Sequence, residues 1–470
     1  MKPKGEYDKL TLQSDVTKKK CTKSPKWRGK TMKKRLVALT LAVATLTSSI
    51  FTGCSSETAG TDSTGNQAAT EKTDNPEGSS GKTTINIWFG SDAMEQKESI
   101  VAQFNEMQDE IEVVAAYYDT DGLKDALKIA ASSNTLPDAW RTYGGSLGSY
   151  FVENDLCYDL TEYAEENQWD KKFNAGTLEL CKYDGKLYGY PSAYNVITMW
   201  YRKDIFEQCG LEVPTTFEEF ENVCAVLKEN GVTPISTAGL YGWHVMRFVE
   251  LLVEHYAGAE KHDQLNRFET SWNCEEVVQA LTKYKEFCDL GYFPEGFVTA
   301  DPDTTNYAVF SGQAAMDVDG QWFDSNIVTN EQNMDLYDFF AFPSGGTNRV
   351  SAFVDMFEFR KDISEQNLEA CMTFLDYYLS DECVEQYPDA YNLPLPTIGA
   401  DVPDGQPHVE GVFETSSENG TFTITDQAFP AEVADVLFNV QAAIANGEMT
   451  PEEGAAKIQE GIDSYFAAEQ

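Results

Sequence analysis

The sequence predicts an α/β fold built in two lobes, and two observations carry that expectation. From residue 83 onward, short β-rich runs alternate with amphipathic helical stretches, the pattern of a parallel sheet covered on both faces. Residues 83–470 also form a 388-residue stretch, longer than a single hydrophobic core supports.

The elements follow in order. Ile85-Asn-Ile-Trp-Phe89 forms a first strand ended by Gly90-Ser91, and Asp92 is placed to cap a helix with the apolar stripe Ile100, Val101, Phe104 and Met107. A second strand is expected at 111–117, a helix at 121–132 and a third strand at 139–141. Ligands of open α/β sheets sit beyond the carboxyl ends of strands, which puts Gly90-Ser-Asp92 and Arg141-Thr-Tyr-Gly-Gly145 beside a potential site. Residues 195–201 read as another strand. Thr216 and Glu219 form a capping box ahead of a stripe of Phe217, Phe220, Cys224 and Leu227. Thr450-Pro-Glu-Glu453 repeats the device near the end of the chain. No internal repeat is present.

Ahead of this body, Met32-Lys-Lys-Arg35 precedes an apolar run at 36–51 and then Thr52-Gly53-Cys54. A charged, then apolar, then small-residue segment is an export signal. Its end resembles the lipobox of bacterial lipoproteins, although Phe51 stands where an aliphatic residue is more common. The resemblance implies cleavage before Cys54 and lipid, of the palmitate class, on the new N-terminus. The protein would then be held at the cell membrane, facing the extracellular side. The alternative is a signal anchor with an incidental cysteine. Residues 1–31 read as an upstream extension, with Met32 the initiator. Residues 55–82 are mostly Ser, Thr, Gly, Asn, Asp and Glu, too poor in apolar surface to order. They form a tether of about 30 Å r.m.s. span.

The chain carries 35 Lys and Arg against 77 Asp and Glu, a formal charge of −42; removal of residues 1–53 takes away 13 basic and 3 acidic groups and leaves −52. Such a surface repels nucleic acid and anionic lipid. It weighs against an anionic ligand too, unless one basic pocket overrides the global field. The eight cysteines after Cys54 include no CxxC pair, and Cys224 and Cys371 fall at core-facing helical positions, so buried free thiols are expected rather than disulfides. Four histidines without metal-ligand spacing give no reason to expect a metal or other cofactor.

Six segments, in this order, resemble the extracellular solute-binding proteins of ABC importers, the large family that includes maltodextrin-binding proteins. They are Ile85-Asn-Ile-Trp-Phe89, Asn134-Thr-Leu-Pro-Asp138 and Leu187-Tyr-Gly-Tyr-Pro191 with Trp200-Tyr-Arg-Lys-Asp-Ile-Phe206; Cys209 to Phe220; Phe310-Ser-Gly-Gln-Ala-Ala-Met316 with Asp319-Gly-Gln-Trp322; and Gly447 to Gly454. The fourth departs from the family in placing Phe217 where Trp is usual. The likeness implies a two-lobed, periplasmic-binding-protein-like fold of type II, with ligand between lobes joined by several hinge crossings. By analogy the first lobe is 83–194 plus 333–379 and the second 195–332 plus 380–470. It also implies a carbohydrate ligand, permease subunits as partners, a monomer, and binding without catalysis.

A sugar presents C–H faces that pack on aromatic rings and hydroxyls that suit planar polar groups. The candidates are therefore Arg141, Thr142, Tyr143, Tyr194, Asn195, Trp243, Asp319 and Trp322, with Asp355 and Asn392 as further loop candidates. Trp88 reads as core. Two other functions stay open. One is a glycoside hydrolase, whose carboxylate pair this acid-rich chain could supply. The other is a binding protein for a non-sugar solute.

Overall fold

A computed structural model describes residues 81–400 and 405–468. The export signal, Cys54 and all but the last two residues of the tether lie outside the described residues.

The strands are β1 (Thr83–Gly90), β2 (Ile111–Tyr118), β3 (Ala139–Tyr143), β4 (Lys182–Tyr183), β5 (Lys186–Leu187), β6 (Tyr190–Arg202), β7 (Thr233–Ser236), β8 (Ala314–Gly320), β9 (Tyr337–Phe340), β10 (Val350–Phe359) and β11 (Thr421–Thr423). β4 and β5 pair as a small hairpin, and the other nine make one sheet in the order β2-β1-β3-β10-β6-β8-β7, with β11 beside β10 and β9 beside β6. The parallel expectation holds at the ends, where β1 pairs in parallel with β2 and β3, and β7 with β8. It fails in the middle: β10 runs antiparallel to β3 and to β6, and β6 antiparallel to β8.

Two cores lie along this sheet. One gathers Ile85, Ile87, Phe89, Phe104, Phe357 and Phe374. The other gathers Ile197, Met199, Phe220, Phe248, Phe287 and Leu437. The chain changes core inside strands. On β6 Tyr190 belongs to the first and Ile197 to the second, and on β10 Phe353 belongs to the second and Val354 to the first. On β6 the switch falls between Tyr190 and Ile197. Phe340 and Phe342 pack with the second core, and residues from Cys383 to Leu395 pack with the first. The change of core falls inside continuous strands, so loops are poor markers of it.

Local signals explain several element ends. The capping box at Thr216 forms, with Glu219 N–H donating to Thr216 Oγ1 at 3.2 Å. Glu453 N–H donates to Thr450 Oγ1 at 3.2 Å in the second instance. The helix Thr120–Ser133 is capped by Asp119, whose Oδ1 accepts from Gly122 N–H at 2.7 Å. Asp92 does not cap: Ala93, at φ 49°, precedes the helix Met94–Met107 without a side-chain cap. The Asp92 carboxylate instead takes Lys97 Nζ at 2.6 Å. All eight described cysteines are unpaired, five buried and three half-buried.

Candidate functional site

The carboxyl ends of β1 and β3 supply the first wall of a cleft. Arg141 and Tyr143 project from one face of β3, as residues two apart on a strand do, and the Arg141 guanidinium lies 5.0 Å from the Tyr143 ring centroid. Arg141 Nη2 donates to Asp355 Oδ2 at 2.6 Å, and Nη1 lies 3.8 Å from Asp92 Oδ1. Gly90 makes this approach feasible: a Cβ there would sit 2.4 Å from Asp92 Oδ1 and 2.8 Å from Arg141 Nη1. The pairing of β10 with β6 shifts register opposite Asp355 and Met356, where Ser192 of β6 is the unpaired residue. Asp355 meets Arg141 with one oxygen and accepts from Asn195 Nδ2 at 3.0 Å with the other. Burial raises the Asp355 carboxyl above its ordinary range, with Arg141 pulling it part of the way back.

The second wall is the start of the helix Trp243–Asn266 together with the end of β8. Trp243 and Arg247, four residues apart, share a helix face. The Arg247 guanidinium lies 4.7 Å from the Trp243 ring centroid and 5.4 Å from that of Trp322, a double cation–π contact. Its Nη1 donates to Asp319 Oδ1 at 2.9 Å. Asp319 Oδ1 also accepts from Gly320 N–H at 3.0 Å. Gly320 has no room for a side chain, since a Cβ would fall 2.1 Å from the Trp322 ring. The Asn306 amide, with its nitrogen turned toward the acids, donates to Asp319 Oδ2 and Asp317 Oδ2, both at 3.2 Å. Burial raises both carboxyls, Asp317 the more because Asp319 lies beside it, while Arg247 partly restrains each. Burial and the charge of Arg247 hold His244 well below the ordinary imidazole range, so it is neutral at physiological pH.

Between the walls lies a cleft of about 550 Å³, within the range of small-molecule sites. Trp243 Nε1 reaches across it to Asp121 Oδ2 at 3.3 Å, and Ser146 Oγ donates to the Asp426 carbonyl at 2.9 Å. Asp426 is held in place through Glu250, whose Oε2 accepts from Thr425 N–H at 2.8 Å.

Glu250 yields a stability prediction. Burial pushes its carboxyl from 4.5 up to about 8. Between those values the folded state holds a proton that the unfolded state has released, so stability falls as pH rises, by about 1.4 kcal/mol per unit from this group. Glu250→Gln keeps an acceptor for Thr425 and removes the titration. Chemical denaturation between pH 5 and 8 is expected to show a flatter stability profile for this variant than for the parent. An unchanged slope would mean that Glu250 is ionised in the folded protein.

Of the eight residues singled out by sequence, Arg141, Tyr143, Trp243, Asp319 and Trp322 line this one cleft. Thr142, Tyr194 and Asn195 do not. Thr142 is buried on the opposite face of β3 from its neighbours. Tyr194 packs on Phe413, with centroids 5.9 Å apart, in a separate cluster around Val196 and Trp200. Asn195 is fully buried behind Asp355, accepting also from Gln321 Nε2 at 3.3 Å and Asn392 Nδ2 at 3.1 Å. Asp355 and Asn392 do line the cleft, Asp355 from strand β10 rather than from a loop. Arg247, Lys124 and Asn306 were missed. The spacing of Trp243 and Arg247 was a usable signal for the first; nothing local marks the other two. Among the described residues no group of His, Cys, Asp and Glu is arranged to hold a metal ion.

Solved structures with this architecture are two-lobed solute-binding proteins. A chitin oligosaccharide binding protein superposes with a TM-score of 0.75 at 20% identity, over 82% of this chain and 99% of the other. The solute-binding protein RafE, in complex with raffinose, does so with a TM-score of 0.68 at 19% identity, over 81% and 98%. At these identities the likeness establishes the fold. Residues 99–406 match the family of bacterial extracellular solute-binding proteins, and the chain belongs to that family. Relatives include a probable sugar-binding periplasmic protein of Rhizobium meliloti, 22% identical over 72% of this chain and 82% of the relative. A multiple sugar-binding protein of Streptococcus mutans is 22% identical over 58% and 66%. Among the described residues no helix is long and apolar enough to cross a membrane.

Proposed function

We propose that the cleft captures a carbohydrate, an oligosaccharide, and that the protein delivers it intact to the permease of an ABC importer. The observation that carries this reading is the convergence of Tyr143, Trp243 and Trp322 on a cleft whose lining also includes Arg, Asp and Asn side chains. Rings take the C–H faces of a sugar and planar polar groups its hydroxyls. The sugar-binding relatives and structural neighbours agree with it. Arg141 and Tyr143 act from the first lobe and Trp243, Asp319 and Trp322 from the second, so ligand contacts made only on closure would shift the open–closed equilibrium. Small-angle scattering is expected to show a smaller radius of gyration when the right sugar is added, with the sugar recovered unchanged. Turnover of the bound sugar would point to a hydrolase. Saturable binding without compaction would end the hinge mechanism and leave the ligand class standing.

The protein further acts, in this proposal, while tethered outside the cell through lipid on Cys54. Two acyl chains give stable attachment where one gives marginal binding. Cys54→Ala is expected to release the protein from membranes or leave it unprocessed. Processed Cys54→Ala protein that fractionates with membranes as before would overturn the anchor.

A further inference from the structure

We propose that this cleft selects its saccharide by charge, admitting uncharged and amine-bearing sugars and excluding those with carboxylate, sulfate or phosphate groups. The inference rests on the carbohydrate reading above and narrows it. Composition alone leaves the matter open, because one basic pocket could override a net charge of −42. Among the described residues the cleft is no such pocket.

An acidic sugar needs a cation free to receive it, ideally a guanidinium offering two parallel N–H groups. Among the described residues that line the cleft, three are cationic, and each is already engaged. Lys124 Nζ lies 3.1 Å from Asp121 Oδ1, Arg141 Nη2 2.6 Å from Asp355 Oδ2, and Arg247 Nη1 2.9 Å from Asp319 Oδ1. The two arginines are fixed further by the rings beneath them, Tyr143 for Arg141 and the Trp243–Trp322 pair for Arg247. Drawing either onto a ligand carboxylate would strand Asp355 or Asp319, whose side chains are 4% and 6% exposed. Leaving a buried carboxylate without its cation is strongly unfavourable. His244 also lines the cleft and is neutral.

The remaining charges push the same way. Seven aspartates line the cleft against the three cations. Among the described residues no Lys or Arg pairs with Asp119, Asp303 or Asp389, and neighbouring carboxylates add to burial in raising Asp303. A recess with a surplus of one sign of charge focuses that sign's field. An anionic sugar therefore meets repulsion with nothing to offset it, whereas a protonated amine meets surplus carboxylates.

Calorimetry on the whole protein tests this. Maltotriose, xylotriose, cellotriose, raffinose and tri-N-acetylchitotriose are titrated together with an oligogalacturonate, and then the uronate and free-amine counterparts of whichever neutral sugar binds most tightly. The uronate is expected to bind at least about 100-fold more weakly than its neutral parent at low salt, with the gap narrowing as salt screens the field. The amine is expected to bind within about tenfold of the parent or more tightly. Asp355→Asn, which releases Arg141 from its carboxylate, is expected to raise the uronate-to-neutral affinity ratio by about tenfold or more. That ratio does not depend on the folded fraction of the variant. A uronate that binds as tightly as its parent, or an acidic sugar that binds where neutral ones do not, overturns the charge selection and leaves the carbohydrate reading intact. Failure of every saccharide, acidic ones included, removes the carbohydrate reading and this inference with it.

Discussion

Arg247→Ala is expected to lower the unfolding free energy by about 3–5 kcal/mol, the usual result of removing one partner of a buried ion pair. The guanidinium is 8% exposed and its partner Asp319 6%. Its loss leaves Asp319 and the neighbouring Asp317 without the cation that now restrains both. The deficit has a pH signature. Burial already raises both carboxyls, and without Arg247 they rise further, so the variant's folded state binds more protons than the parent's. Its stability therefore falls faster with rising pH, and the deficit is expected to be larger at pH 8 than at pH 5. Denaturant titrations at the two pH values measure it. A loss under about 1 kcal/mol at both would mean that solvent reaches the pair and screens it. Pairing the change with an apolar residue at 319, as in Arg247→Met with Asp319→Leu, is expected to recover part of the loss, because neither charge is then stranded.

Trp322→Ala is the second large effect, and it falls on binding. Its ring packs against Phe353 with centroids 6.0 Å apart and holds one side of Arg247. Truncating an aromatic at the centre of a binding surface commonly costs more than a factor of ten, so oligosaccharide affinity is expected to fall at least about tenfold, or 1.4 kcal/mol. Trp88→Ala is the control. Trp88 is absent from the cleft and packs on Tyr118, with centroids 5.0 Å apart. It should lower the melting temperature and leave affinity alone. Calorimetry and thermal denaturation of both variants separate the roles, and unchanged affinity for Trp322→Ala would take that ring out of the site.

Periodicity made much of this molecule legible. The first three strands appear where their apolar runs put them, and both Thr caps where cap chemistry does, because a cap closes on a hydrogen bond three residues away. The same rule could have removed Thr142: flanked on a strand by Arg141 and Tyr143, it has to face away from both. Tyr194 and Asn195 sit on the central strand β6, flanked on both sides, and only knowledge of the neighbours tells which face opens to the cleft. The antiparallel course of β10 was not legible, since pairing partners more than 150 residues apart leave no local trace. The place of Asp355 in the cleft was not legible for a similar reason, since its partners Arg141 and Asn195 lie on two other strands.

The mid-strand change of core on β6 and β10 bears on how the chain assembles as it is made. The first core holds residues from Ile85 to Tyr190 and again from Val354 to Leu395, and the second runs from Ile197 to Phe353 and again from Phe422 to Ile462. Neither can be completed from a contiguous stretch. A chain emerging from its N-terminus has the first half of each core in hand long before the second half arrives. Pairings at such sequence distances close slowly, and the waiting halves expose apolar surface meanwhile. Synthesis would therefore have to pass Leu395 before the first lobe could close and Ile462 before the second could, and no single cut in the backbone would free one lobe whole.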